Sequence, residues 1–334
     1  MEVNVSIAGI LMCCDESLCA LNIGNGYRIE KCAVDDLTFK QKITNGRGQL
    51  ETDYWNSRII NGDKIFFMCI KKEEVIQING PSFNENVTRI TDKDCMCEDE
   101  LADYMDKEME YLNEINNLLR IYKKGNIGFY DVFFHYTFTV MGFINNTIDN
   151  CSHNQTRNTI ADTKFYLRDS EIDECNNFII KYKGNPYRIM KNSIDEFSWG
   201  MEQIDIPTGF EQYTTALEMT LLPRNQPGKK QMLANRVSTL LGNSDSDIQQ
   251  IHQKMMAYYR YRSESLHEGD GTNITAIELE ALQNITRNVL GKCLEWCSNE
   301  YSVNHAITWI EVKEKIMNTL ISQIQTLKSR GVLQ

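Results

Sequence analysis

Residues Tyr258 to Gly271 read YYRYRSESLHEGDG and place Arg260, Arg262 and His267 close together. Histidine titrates near neutral pH, so it can give or take a proton. Arginine is permanently charged and offers a planar fork that matches phosphate oxygens. Together they suffice for one reaction that needs no metal. A base removes the proton of a ribose 2′-hydroxyl, which attacks the adjacent phosphorus. A cation steadies the phosphoryl oxygens, and an acid protonates the leaving 5′-oxygen. That chemistry requires RNA, because DNA lacks the 2′-hydroxyl. The same residues also read as a solvated helix end whose arginines pair with Glu264, Glu268 or Asp270.

Placement bears on the choice. His267 falls at a predicted helix C-terminus marked by Gly269. The partial negative charge there favours imidazolium. On a continuous helix Arg260 lies about 20° from His267 in azimuth and Arg262 about 140° away; unwinding near Gly269 would bring Arg262 round. Spacing alone leaves both arginines open as the partner of His267. One copy offers one such histidine, so separate acid and base roles call for two copies facing across a two-fold axis.

The elements that must hold these residues are helices. From Pro207 onward, five amphipathic segments follow in close order: 209–223, 229–243, 244–267, 275–301 and 306–331. Pro223, Gly242 and Gly269 are stop signals, and Thr275 with Glu278 forms a capping-box pattern. Short joints between amphipathic helices predict an antiparallel bundle. Between Arg224 and Arg262 seven basic residues face two acids, Asp245 and Asp247, a surplus of +5 in a chain whose net charge is −11. Lys229, Lys230 and Arg236 belong to this stretch.

The first half has a different texture. Segments 64–70 and 73–80 predict strands, and Gly24-Asn25-Gly26 predicts a hairpin turn. Residues 98–125 predict a helix with Leu101, Tyr104, Leu112, Ile115 and Leu119 on its apolar face. Residues 129–144 are too aromatic for surface, and His135 within them reads as a core histidine. Residues 145–163 are polar and read as a loop. Residues 169–182 predict a short helix, and beyond 183–188 the pattern weakens. The fold class expected is therefore α+β: a β-rich, mixed domain over 1–200 with one helix near 98–124, then an all-α bundle over 201–334.

Composition narrows the function further. The negative net charge argues against a backbone-wide grip on nucleic acid and leaves room for a local basic face. No apolar run is long enough to span a membrane, and the N-terminus lacks a basic leader region. Eleven cysteines, an odd number without framework spacing, suit a reducing, cytoplasmic location. Neither the cluster at Cys13, Cys14 and Cys19 nor that at Cys95 and Cys97 has zinc-knuckle spacing, so no metal and no cofactor is expected. No phosphate-cradling glycine fingerprint is present, and residues 1–204 show no convergent polar site for a small-molecule enzyme.

Several separated motifs then occur in order. They are Glu218, Leu221, Leu222 and Pro223 in an LE-x-LL-P-like stretch, ANRVS-x-LLG at 234–242, YR-x-RS-x3-H-x-G at 259–269, and TRNVL at 286–290. Over roughly residues 205–295 the chain resembles the Apea-like branch of the HEPN superfamily. That resemblance implies a mainly helical bundle that forms a homodimer. It implies a metal-independent endoribonuclease where an arginine, then a polar residue, then a histidine are kept. Arg262, Ser263 and His267 match that order. Arg260, followed by Tyr261, becomes a phosphate contact. Arg287 either adds a charge from the neighbouring helix or bridges to Glu218 or Glu264. Tyr259, with Tyr258 and Tyr261, either stacks on RNA bases or belongs to the core or dimer interface. Lys229, Lys230 and Arg236 complete the expected RNA contacts. The resemblance suggests a prokaryotic anti-phage or stress effector acting on RNA, tRNA included, with residues 1–204 sensing a trigger or restraining the nuclease. The other reading it leaves is a non-catalytic HEPN module that binds RNA or nucleotide, or serves dimerisation.

Overall fold

The sequence EVNVSIAGILM alternates and then turns continuously apolar, as a strand covered on both faces should. It forms β1 (Glu2–Met12) at the middle of an antiparallel sheet. The computed structural model describes residues 2–37, 40–44, 49, 58–61, 64–78, 97–140, 143–152, 164–223, 227–269 and 271–333; of the side chains at 97–99, 138–140, 143–147, 149–152, 267 and 268 nothing is described. Arg224, Asp270 and Cys95 lie outside the described residues, as do the side chains of Cys97, His267 and Glu268.

The described chain is α+β and falls into two compact units. The first takes in the described residues of 1–116, 127–155 and 164–176. Its six strands are β1, β2 (Arg28–Ala33), β3 (Ile59–Asn61), β4 (Lys64–Gln77), β5 (Gly128–Val140) and β6 (Phe143–Ser152). They run in the order β2-β4-β1-β5-β6, with β3 also paired to β4. A short α1 (Lys40–Ile43) and most of α2 (Cys97–Tyr122) accompany the sheet. Gly9 is required where it stands: a Cβ there would lie 2.8 Å from the Ile70 side chain.

Several expectations for this half are corrected. Residues 64–77 form one strand, not two segments, because Lys71 and Lys72 at its middle find carboxylates, Glu30 at 2.9 Å and Glu108 at 2.9 Å. Gly24, Asn25 and Gly26 do turn the chain, all three with positive φ. They do not join a hairpin, since a 3-10 turn at Glu16–Ala20 precedes them and β2 pairs with β4. Residues 145–152, expected as the start of a loop over 145–163, belong instead to edge strand β6, held by its ladder to β5 from Asp131↔Ser152 to Val140↔Phe143. An edge strand needs no apolar alternation on an exposed side, which hid it. Residues 153–163 lie outside the described residues. His135 sits half-buried in β5, opposite Ser6 and Ile148.

The second unit takes in the described residues of 117–126 and 177–334. It contains the last residues of α2 and of α3 (Asp169–Tyr182), then α4 (Asn185–Glu202), α5 (Ile206–Leu221), α6 (Lys229–Leu241), α7 (Asp245–Glu268), α8 (Ala276–Val303) and α9 (Trp309–Ser329). The five segments expected from Pro207 onward are α5 to α9. Along the chain the last change from the first unit to the second comes at 176/177. Residues 185–202 are helical, and their Met190, Ile194, Phe197 and Met201 share one core with Phe210, Tyr213, Leu233, Tyr258 and Leu290. No helix among the described residues is long and apolar enough to cross a membrane.

Candidate active site

The site is built on α5, α6 and α7. Helix α5 starts at Asp205, whose carboxylate accepts from the Thr208 N–H at 2.9 Å. It ends where Leu222 turns extended and donates its N–H to the Glu218 carbonyl. Glu218 therefore sits in the last turn of α5. Helix α6 opens at Gly228 in left-handed conformation and carries Lys229 and Lys230 in its first turn. Helix α7 is N-capped by the Ser244 hydroxyl, which accepts from the Asp247 N–H at 3.2 Å. Its C-cap is Gly269, at φ +69, whose N–H donates to the Glu264 carbonyl. A glycine there removes the Cβ penalty of the left-handed cap.

The tyrosines orient α7. Tyr258 is 1 % exposed and packs edge-to-face on Phe210, ring centres 5.4 Å apart. That makes it core and not a stacking platform for RNA. Tyr259 and Tyr261 are half-buried against the same core. Burial, with Glu218 nearby, raises the Tyr259 hydroxyl above its ordinary pKa.

With Tyr258 fixed inward, the two arginines separate. Arg260 has a side chain 58 % exposed, lies 3.5 Å from Glu264 and stacks 5.3 Å from the Tyr261 ring centre. Arg262 is 20 % exposed; its Nη1 is 3.3 Å from Glu218 Oε1, and its guanidinium lies 5.9 Å from the Tyr259 ring centre. The buried Arg262 Nε has no hydrogen-bond partner among the described residues. Lys229 lies 3.2 Å from the other oxygen of Glu218. Ser263 is exposed.

Helix α7 remains helical through Glu268. The unwinding that would swing Arg262 toward the His267 position is therefore not found. On the unbroken helix the Arg260 and His267 positions share an azimuth to within about 20°, while Arg262 faces α5. The arginine–glutamate pairing expected of a plain helix end is present at Arg260.

Two expected contributors lie elsewhere. Arg287 is 5 % exposed and donates to the Arg120 carbonyl at 2.7 Å, to Asn284 Oδ1 at 2.5 Å and to Gln283 Oε1 at 3.2 Å. Burial pushes its pKa down to about 10. It ties the end of α2 to α8 within the helical unit and meets neither Glu218 nor Glu264 in these bonds. Arg236 is 6 % exposed and donates to the Leu221 carbonyl at 2.5 Å, so it is no surface RNA contact. Lys230 is half-buried at the start of α6.

The residue that sequence reasoning misplaced is Glu218. It stood inside the LE-x-LL-P-like stretch, but as a partner for Arg287, not for Arg262. Among the described residues, no group of three or more His, Cys, Asp or Glu side chains is arranged to hold a metal ion. Compared with protein-family models, curated proteins and solved structures, the chain matches none.

Proposed function

We propose that the helical unit is a metal-independent endoribonuclease of HEPN type, acting on RNA, with tRNA among its targets, as a prokaryotic anti-phage or stress effector. The observation that carries this reading is the last three turns of α7. There an exposed Arg260 and the His267 position share one azimuth, beside an Arg262 anchored by Glu218. His267 moves the proton, its imidazolium favoured by the helix C-terminus. Arg262 supplies the cation for the phosphoryl oxygens, and Arg260 grips a flanking phosphate. Since the Arg262 and His267 positions diverge on one helix, a two-fold pair of α7 ends supplies the second cation and the second histidine to one scissile phosphate.

One observation favours the alternative, a non-catalytic HEPN module for RNA or nucleotide binding or for dimerisation. Both arginines already face carboxylates, Glu264 at 3.5 Å and Glu218 at 3.3 Å. The deciding experiment incubates wild type, His267→Ala, Arg262→Ala and Arg260→Ala with total RNA and a chelator. The reading expects fragments ending in 2′,3′-cyclic phosphate from wild type and none from His267→Ala. Cleavage that survives in His267→Ala overturns the mechanism, and cleavage abolished by chelator overturns its metal independence.

A further inference from the structure

A second concave site lies in the helical unit, a cavity of about 910 Å³ bounded by residues of α4, α5, α6 and α9. That is the size of a site for one small organic ligand. Five cations line it, Arg188, Lys191, Lys229, Arg236 and Lys313. Glu218 and Glu314 in the wall oppose them, and Asp195 beside it pairs with Lys191 at 2.5 Å, leaving two positive charges in surplus within a chain of net charge −11. Arg236 spends one N–H on the Leu221 carbonyl, where a guanidinium has five, and Lys313 donates to the Met219 carbonyl at 2.6 Å. Asn192, Ser193 and Asn318 share the remaining wall with apolar side chains, among them Trp309, Met219, Leu222 and Met317, and Ile310 at its edge is 69 % exposed.

We infer that this cavity binds a free small anion, a phosphate monoester carried on a flat apolar body. The charge surplus selects the phosphate, because a monoester brings about −1.5 to −2 charges at neutral pH, whereas a carboxylate brings one. Trp309 and the methionine side chains take the flat body. The cavity shares Glu218 and Lys229 with the candidate active site, but the inference is read by binding alone and so stands or falls separately from the ribonuclease reading.

The test is calorimetry on the full chain with 1-naphthyl phosphate as the probe, against 1-naphthol and inorganic phosphate. Both control compounds should bind at least about tenfold more weakly than the ester. Lys229→Gln should weaken the ester about tenfold. Ile310→Asp should do the same by placing a carboxylate at the mouth, and its side chain is too exposed to be needed for folding. Naphthol binding as tightly as the ester overturns the charge argument. Undiminished binding to correctly folded Ile310→Asp overturns the location. Displacement of the ester by a short single-stranded RNA at equal concentration overturns the assignment to a free ligand, since the cavity would then belong to an RNA path.

Discussion

Glu218 Oε1 lies 3.3 Å from Arg262 Nη1, while its Oε2 lies 3.2 Å from Lys229 Nζ. One carboxylate, itself 14 % exposed, thus holds a cation from α6 and another from α7 at the end of α5. The partners are unequal: Arg262 is 20 % exposed and Lys229 42 %. Glu218→Gln should cost about 1–2 kcal/mol, mostly through the less solvated Arg262. Lys229→Gln should stay within about 0.5 kcal/mol, because water screens its half of the bridge. Thermal melts check the ranking, at about 2–4 °C per kcal/mol for a folding unit the size of the helical one. Equal losses in both variants would contradict the anchoring of Arg262.

The arginines of the motif region divide by burial, and their variants should divide the same way. Arg287→Met takes a donor from three acceptors and should cost about 3–5 kcal/mol, seen as a large drop in denaturant midpoint. Arg260→Ala removes a side chain 58 % exposed and should leave the midpoint unchanged within error. Under the ribonuclease reading Arg260→Ala instead weakens RNA binding and flattens its salt dependence by about one phosphate contact. A folded, unperturbed Arg287→Met would show that its three hydrogen bonds are dispensable.

Much of the helical unit was legible because its helices carry their own punctuation. Ser244 and Thr275 cap starts, and Gly242 and Gly269 cap ends. Helix α4 had the same kind of signal, Met190, Ile194, Phe197 and Met201 at three- and four-residue spacing behind Pro186, yet its polar face obscured it. Strand β6 had none to give, since edge pairing is a backbone property. The site was legible only by residue type. Burial of Arg236 and the pairing of Glu218 with Arg262 depend on how α5, α6 and α7 pack, and no local spacing encodes that. A surface arginine and one bonded to a buried carbonyl look alike in sequence.

The sheet unit contains a charged network that should be costly to cut. Lys72, 4 % exposed, lies 2.9 Å from Glu108 and 2.6 Å from Glu74, and Tyr27 donates to Glu108 at 2.7 Å. Glu108→Gln removes one of two countercharges from a buried ammonium and should destabilise by about 2–4 kcal/mol. Tyr27→Phe should cost about 1 kcal/mol. Alkaline difference spectra report on the same network. Burial and the carboxylates raise Tyr27 and Tyr104 far above the ordinary tyrosine range, and burial puts Tyr111 at about 12. Tyr27 and Tyr104 should ionise only as the unit unfolds, and Tyr111 only near pH 12. Their titration as free tyrosines in the folded protein would refute the burial.

His252 sets an acid limit on the helical unit. Its Nε2 lies 2.8 Å from the Gln231 side-chain nitrogen, a contact that suits a neutral ring accepting from the amide. Burial first, and the Lys328 charge second, hold its pKa below the ordinary 6.5. The sign follows from proton counts. Below 6.5 the unfolded chain takes up a proton that the folded ring resists, so the contribution is fully present above 6.5 and is lost as pH falls through the folded value. Wild type should therefore lose denaturant midpoint between about pH 7 and about pH 5 more steeply than His252→Gln, which has no ring to charge. At about pH 7 the two should differ only by the lost contact. Parallel midpoint curves for the two proteins across that range would show that His252 titrates alike in the folded and unfolded chain.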